Sequence, residues 1–134
     1  MINKTSILLI EDDIKALSKL TEKCLEAGIS EKNIFSVGEI ESAERYLEIA
    51  GISYVIIDAD LYNFVIASTI EKFSEYFPIH VIITNAKPEQ KTLRMMNDKS
   101  LTFINSLDEL PEILHGRTPK TISYPYATTN LQNI

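Results

Sequence analysis

Apolar residues in this chain come in short solid blocks, separated by longer stretches where they recur every three or four positions. Five blocks read as strands: Thr5 to Ile10, Asn33 to Val37, Ser53 to Ile57, His80 to Ile83 and Leu101 to Ile104. A short run without alternation fits a strand buried on both faces of a parallel sheet. Between the blocks the period becomes helical. Ile14, Leu17, Leu20, Cys24 and Leu25 mark a first helix with Gly28 as its C-cap. Ile40, Ala43, Tyr46, Leu47 and Ala50 mark a second, stopped by Gly51. A third runs from about Val65 to Phe77, with Ile66, Ile70, Phe73 and Phe77 on one face and Pro78 as its stop. A weaker fourth helix spans Pro88 to about Asn97. The last is short: Asp108 as N-cap, Leu110, Ile113 and Leu114 inward, Pro111 tolerated in the first turn, and Gly116 after it. Strand and helix in strict alternation predict an α/β, doubly wound, five-stranded parallel sheet with helices on both faces. The pattern stops at residue 116. Residues 117–134, with Pro, Thr, Asn and Tyr and no period, are expected to form an extended or flexible tail.

Two of the apolar blocks run straight into acids. Ile7 to Ile10 is followed by Glu11, Asp12 and Asp13, and Tyr54 to Ile57 by Asp58, with Asp60 two residues on. Ligands of open parallel sheets bind beyond the carboxyl ends of the strands, where the strand order reverses. If these two strands are neighbours, their acids converge on one pocket. Crowded carboxylates repel, and a hard cation such as Mg²⁺ is the usual means of keeping them ionised. Asp13 suits a helix N-cap whatever the function. His80 and His115 lack partners at metal-ligand spacing. No Gly-rich phosphate loop follows any strand, which excludes a nucleotide-binding reading.

Charge and cysteine narrow the classes further. The net charge is −6; residues 117–134 hold two bases and no acid, so residues 1–116 carry 11 bases against 19 acids, a net −8. An acidic domain argues against direct nucleic-acid binding, and its charge mainly favours solubility. One cysteine excludes an internal disulfide and fits a reducing cytoplasm. Cys24 lies on an apolar helix face and reads as core filler. No apolar run approaches the roughly 18 residues of a membrane span, and Ile7 to Ile10 is too short for a signal-peptide core. A cytoplasmic, membrane-free domain is expected.

These residues together resemble the receiver domain of two-component response regulators. Ile7-Leu8-Leu9-Ile10-Glu11-Asp12-Asp13 is similar to that family's opening motif. Val55-Ile56-Ile57-Asp58-Ala59-Asp60-Leu61 is similar to its phosphoacceptor segment, and Val81-Ile82-Ile83-Thr84 to the strand that ends in its switch hydroxyl. The resemblance covers about residues 4 to 116. It implies a flavodoxin-like strand order, 2-1-3-4-5, and phosphorelay signal transduction. Asp58 would accept a phosphoryl group from a histidine kinase or phosphotransfer protein. Glu11 and Asp12 would hold Mg²⁺ with Asp58, joined by the backbone carbonyl of Asp60. Thr84 would hydrogen-bond a phosphoryl oxygen, and Phe103 would be the aromatic that swings between exposed and buried rotamers. Enzymatic turnover would be limited to self-phosphorylation and dephosphorylation of Asp58. Output would reach a downstream protein partner through the face of the fourth helix, fifth strand and fifth helix, with homodimer formation left open.

The chain departs from that family at several points. The family's Lys after the fifth strand is replaced by Ser106, and no Lys or Arg occurs between Lys99 and Arg117. A charge-assisted contact contributes about 1.5–3 kcal/mol, so its loss corresponds to tenfold or more in phosphate occupancy. Lys87 offers a stand-in from another loop. Tyr62 replaces a Pro and would sit beside the pocket, and Asn85 follows Thr84 where a small residue is commoner. The departures leave two readings open: an atypical single-domain receiver, or a phosphorylation-independent pseudo-receiver acting as an adaptor. A haloacid-dehalogenase-like phosphatase would also use Asp58-Ala59-Asp60 and Thr84. It requires the Asp-x-Asp on the first strand and a catalytic Lys, and both conditions fail.

Overall fold

A computed structural model describes residues 5–49, 51–75, 78–89 and 101–115. Along the chain they form β1 (Ile7–Ile10), α1 (Ile14–Glu26), β2 (Ile34–Val37), α2 (Ile40–Ile49), β3 (Tyr54–Asp58), α3 (Phe64–Ser74), β4 (His80–Thr84), β5 (Leu101–Ile104) and α4 (Leu110–Leu114). The five strands make one sheet in the order β2-β1-β3-β4-β5, every pairing parallel. This is the expected doubly wound order.

The solid apolar blocks are explained by the two faces of the sheet. Leu8, Ile10, Val55, Ile57, Val81 and Ile83 pack with Ala43 and Leu47 of α2 and Ile66 and Ile70 of α3. Ile7, Leu9, Ile56, Ile82 and Ile104 pack on the other face with Leu20 and Cys24 of α1 and Leu110, Ile113 and Leu114 of α4. Successive strand side chains point to opposite faces, so a strand covered on both sides needs no polar position. Cys24 is buried there, and burial pushes its thiol up to about 12. It is core filler, as its place on the helix suggests.

Local signals account for most helix ends. Asp13 accepts a hydrogen bond from the Ala16 N–H at 2.9 Å, capping α1. Past the other end, Gly28 turns with φ +92°, and the Ile29 N–H reaches back to the Cys24 carbonyl at 3.1 Å. Such a left-handed turn suits glycine, which has no β-carbon to crowd the backbone. Two expected members of the α1 apolar face are instead exposed, Ile14 at 82% and Leu25 at 45%. Ile14 opens the helix, past the end of β1, and Leu25 lies about 100° around the axis from Cys24.

The last helix corrects an expectation. Its cap is not Asp108. Ser106 caps a 3₁₀ turn, Leu107–Glu109, that leads into α4, and its hydroxyl accepts from the Asp108 N–H at 3.1 Å. Glu109 accepts in return from the N–H groups of Asn105 and Ser106, at 2.9 and 3.1 Å. Ser-x-x-Glu is the capping-box signature, and it outcompetes a lone Asp because two donors are satisfied at once. Pro111 sits in the first turn of α4, as expected. The expected end of the third helix at Phe77, most of the fourth helix (Pro88 and Glu89 are helical), and residues 117–134 lie outside the described residues. Among the described residues, no helix is long and apolar enough to cross a membrane.

Candidate functional site

The register brings the acidic strand ends to one edge of the sheet. Ile10 pairs with Ile57, and Asp58 pairs with Thr84. Glu11 follows β1; its N–H donates to the Val37 carbonyl at 3.0 Å, and its side chain is 7% exposed. The Asp13 N–H donates to Glu11 Oε2 at 3.0 Å. Burial is the main influence on the Glu11 carboxyl and pushes it above its ordinary range. The Asp13 N–H pulls it down, and the charges of Asp58, Asp12 and Asp13 push it up again. The charge of Asp58 therefore reaches Glu11 across the neighbouring strands.

Asp58 is half-buried at the end of β3. Its two carboxylate oxygens have separate donors: the Asp60 N–H to Oδ1 and the Asn85 side-chain amide to Oδ2, each at 2.8 Å. The Ala59 N–H donates to the Thr84 carbonyl at 2.8 Å, tying the loop after β3 to the end of β4. Thr84 is buried, and Asn85 beyond it takes a left-handed backbone with φ +59°. Asp12 and Asp60 are exposed. Phe103 pairs in register with Ile83 and lies half-buried against the α2–α3 side of the core.

Two sequence expectations are relocated. Tyr62 is buried in the core, packed on the α2–α3 face, so it does not stand over the pocket. Ser106, at the position of the family's Lys, is committed to its capping turn. A cleft of about 310 Å³ opens beside Glu11 and Asp13, lined also by Thr84, Asn85 and Leu107. Its positive charge comes from Lys15 and Lys19 of α1, not from the loop after β5, and Lys87 does not line it. His80 lies at the opposite, amino end of the sheet, with its ring against Tyr54 and bonded to the Thr102 hydroxyl; burial pushes its pKa down.

The donor set at the site is all oxygen, which suits a hard cation. Among the described residues, however, no three His, Cys, Asp or Glu side chains are gathered closely enough to enclose a metal. Glu11 lines the cleft and lies within reach of Asp58's charge, Asp58 does not itself line that cleft, and Asp12 is exposed. That arrangement fits Mg²⁺ only as an open, water-rich site, which is how Mg²⁺ is ordinarily held, through one or two carboxylates.

No family model matches the chain, and no curated protein matches it. Solved structures do match. A pilus assembly-related protein from Burkholderia pseudomallei superposes with TM-score 0.64 at 16% identity, over 87% of this chain and 90% of its own. A response regulator receiver domain protein from Methanospirillum hungatei gives 0.60 at 16% identity, over 84% and 92%. The signal receiver domain of a Luxo repressor protein from Vibrio parahaemolyticus gives 0.61 at 16% identity, over 83% and 87%. At this identity the likeness is one of fold, and the chain has the fold of a response regulator receiver domain.

Proposed function

We propose that this chain is a response-regulator receiver that accepts a phosphoryl group on Asp58 and signals through protein contacts. The observation that carries the reading is the pairing of Asp58 with Thr84 at one sheet edge, with the buried Glu11 within reach of Asp58's charge. Phosphoryl transfer needs positioning and charge neutralisation more than covalent chemistry. Glu11, Asp12, Asp58 and the backbone carbonyl of Asp60 would hold Mg²⁺, which supplies the neutralising charge when bound. Asp58 attacks phosphorus, and the donor's leaving group departs with the bonding pair. The Thr84 hydroxyl then donates to a phosphoryl oxygen, and Phe103 follows the movement of its loop. A histidine kinase or phosphotransfer protein would be the donor, and a downstream protein the receiver of the signal.

One observation favours a second reading. The loop after β5 presents a capping box where the family has a cation. A phosphoryl group can bias a two-state equilibrium only by its differential affinity for the two states. Without the Lys that bias shrinks, and the limiting case is a pseudo-receiver adaptor that binds its partner unmodified.

Intact mass after incubation with Mg²⁺ and acetyl phosphate separates the two. The receiver reading expects a phosphoryl adduct in the wild type that is absent in Asp58→Asn and absent without Mg²⁺. A wild type that stays unmodified leaves the adaptor reading.

A further inference from the structure

Asn85 holds a conformation it would not choose on its own. Among the described residues it alone, apart from glycines, has a positive φ. Asparagine tolerates the left-handed region better than most residues, but glycine would sit there without strain. In this conformation the exposed Asn85 side chain lies against Asp58, and its Nδ2 donates to Oδ2 at 2.8 Å. The amide orientation follows from chemistry, since an ionised carboxylate only accepts and the amide oxygen cannot donate. The other oxygen, Oδ1, is bound by the backbone N–H of Asp60. That donor cannot leave without remaking the turn, whereas the Asn85 amide can leave by rotating its side chain.

We propose that Asn85 is a latch on Asp58: its amide holds Oδ2 in the unmodified protein and must rotate away before that oxygen can attack phosphorus. The inference rests on reading Asp58 as the phosphoacceptor. Attack by Oδ2 forms a P–O bond and breaks the bond from phosphorus to the donor's leaving atom: the imidazole nitrogen of a phosphohistidine, or the carboxylate oxygen of acetyl phosphate, which departs as acetate with the electron pair. Oδ2 becomes an acyl-phosphate oxygen, a much weaker acceptor than a carboxylate, so the hydrogen bond from the Asn85 amide does not re-form in the product. Asn85 also adjoins Thr84 and lines the cleft with Lys15 and Lys19. Its release therefore reports the state of Asp58 to the loop after β4. Asn85 is a positioning residue in this account, acting through Asp58.

The test compares phosphorylation rates by intact mass, with Mg²⁺ and acetyl phosphate, for wild type, Asn85→Ala, Asn85→Gly and Asp58→Asn. Asn85→Ala removes the amide and keeps the left-handed backbone demand; Asn85→Gly removes both. A hydrogen bond to a charged group corresponds to roughly a tenfold factor. Both Asn85 variants should therefore label about tenfold faster than wild type, whatever their thermal midpoints. The side-chain amide resonance of Asn85 should also shift in Asp58→Ala. Variants that label at the wild-type rate overturn the latch and leave the phosphoacceptor standing. Labelling in none of the proteins overturns both. An Asn85 amide resonance unmoved by Asp58→Ala overturns the contact itself.

Discussion

The ends of β3 and β4 and the end of β5 lie side by side on one sheet edge, yet they are built to different purposes. At β3 and β4, Asp58 and Thr84 pair in register, and each carboxylate oxygen of Asp58 has its own donor. At β5, the Ser106 hydroxyl and the Glu109 carboxylate close on each other's backbone. The first end holds a half-buried carboxylate between two donors; the second uses its polar groups to start a helix. The contrast shows why Ser106 is no simple stand-in for a lysine, since a serine that caps a turn has its oxygen already engaged. The positive charge that lines the cleft at this edge comes from Lys15 and Lys19.

The contrast is open to attack from both ends, starting with the largest effect. Ile57 is fully buried beneath Asp58, whereas Leu107 is only half-buried beside the cleft. Ile57→Ala should cost about 2–5 kcal/mol in denaturant unfolding, the usual range for a buried large-to-small change, and Leu107→Ala clearly less. Equal costs would mean that the two ends are equally embedded.

Glu11 provides a pH signature of the β1–β3 end. Its carboxyl is raised above the ordinary value of 4.5, so the folded state holds the proton more tightly than the unfolded state. Stability from this group is therefore lost as pH rises from about 4.5 through the folded value. Thermal melts should show Glu11→Gln gaining on wild type between pH 4 and pH 7. Added Mg²⁺ should raise the wild-type midpoint at pH 7 and leave the variant's unchanged. A variant that tracks wild type across this range would mean that burial does not hold the Glu11 carboxyl above its ordinary value.

Ser106 tests the other end. Ser106→Ala should lower stability by about 1 kcal/mol, the typical cost of losing an N-cap. Ser106→Lys should lose a similar amount but increase the phosphorylated fraction of Asp58 under acetyl phosphate, by a factor of about ten if the new cation reaches the phosphoryl group. An adduct level equal to that of Ser106→Ala would show that the rebuilt loop no longer points at the site. The smallest effect belongs to Lys23, which bridges Asp108 at 2.8 Å and Glu26 at 3.3 Å on an exposed face. Lys23→Ala should lower the thermal midpoint only slightly, and the difference should vanish in high salt.

What the sequence revealed follows from the range of its signals. The fold was legible because Leu8 and Leu9, or Ile56 and Ile57, face opposite layers, and only a doubly covered parallel sheet demands two apolar neighbours of that kind. Asp58 and Thr84 were legible because each ends an apolar block. The Asn85 contact was not, since it joins residues 27 positions apart through a backbone angle that no local pattern announces. Tyr62 misled because its place in the chain, four residues past Asp58, says nothing of the face to which the intervening turn sends it. The Ser106 cap was legible as Ser-x-x-Glu, but Asp108, a good cap by residue type alone, competed with it.

The most direct test of the central claim is an amide NMR titration with Mg²⁺ and then beryllofluoride, comparing wild type with Asp58→Asn. The account expects shifts around Glu11 to Asp13, Asp58 to Asp60 and Thr84 to Ala86 in the wild type, smaller ones at Asn105 to Glu109, and none in the variant. A spectrum that responds to neither addition, or responds equally in Asp58→Asn, would contradict it.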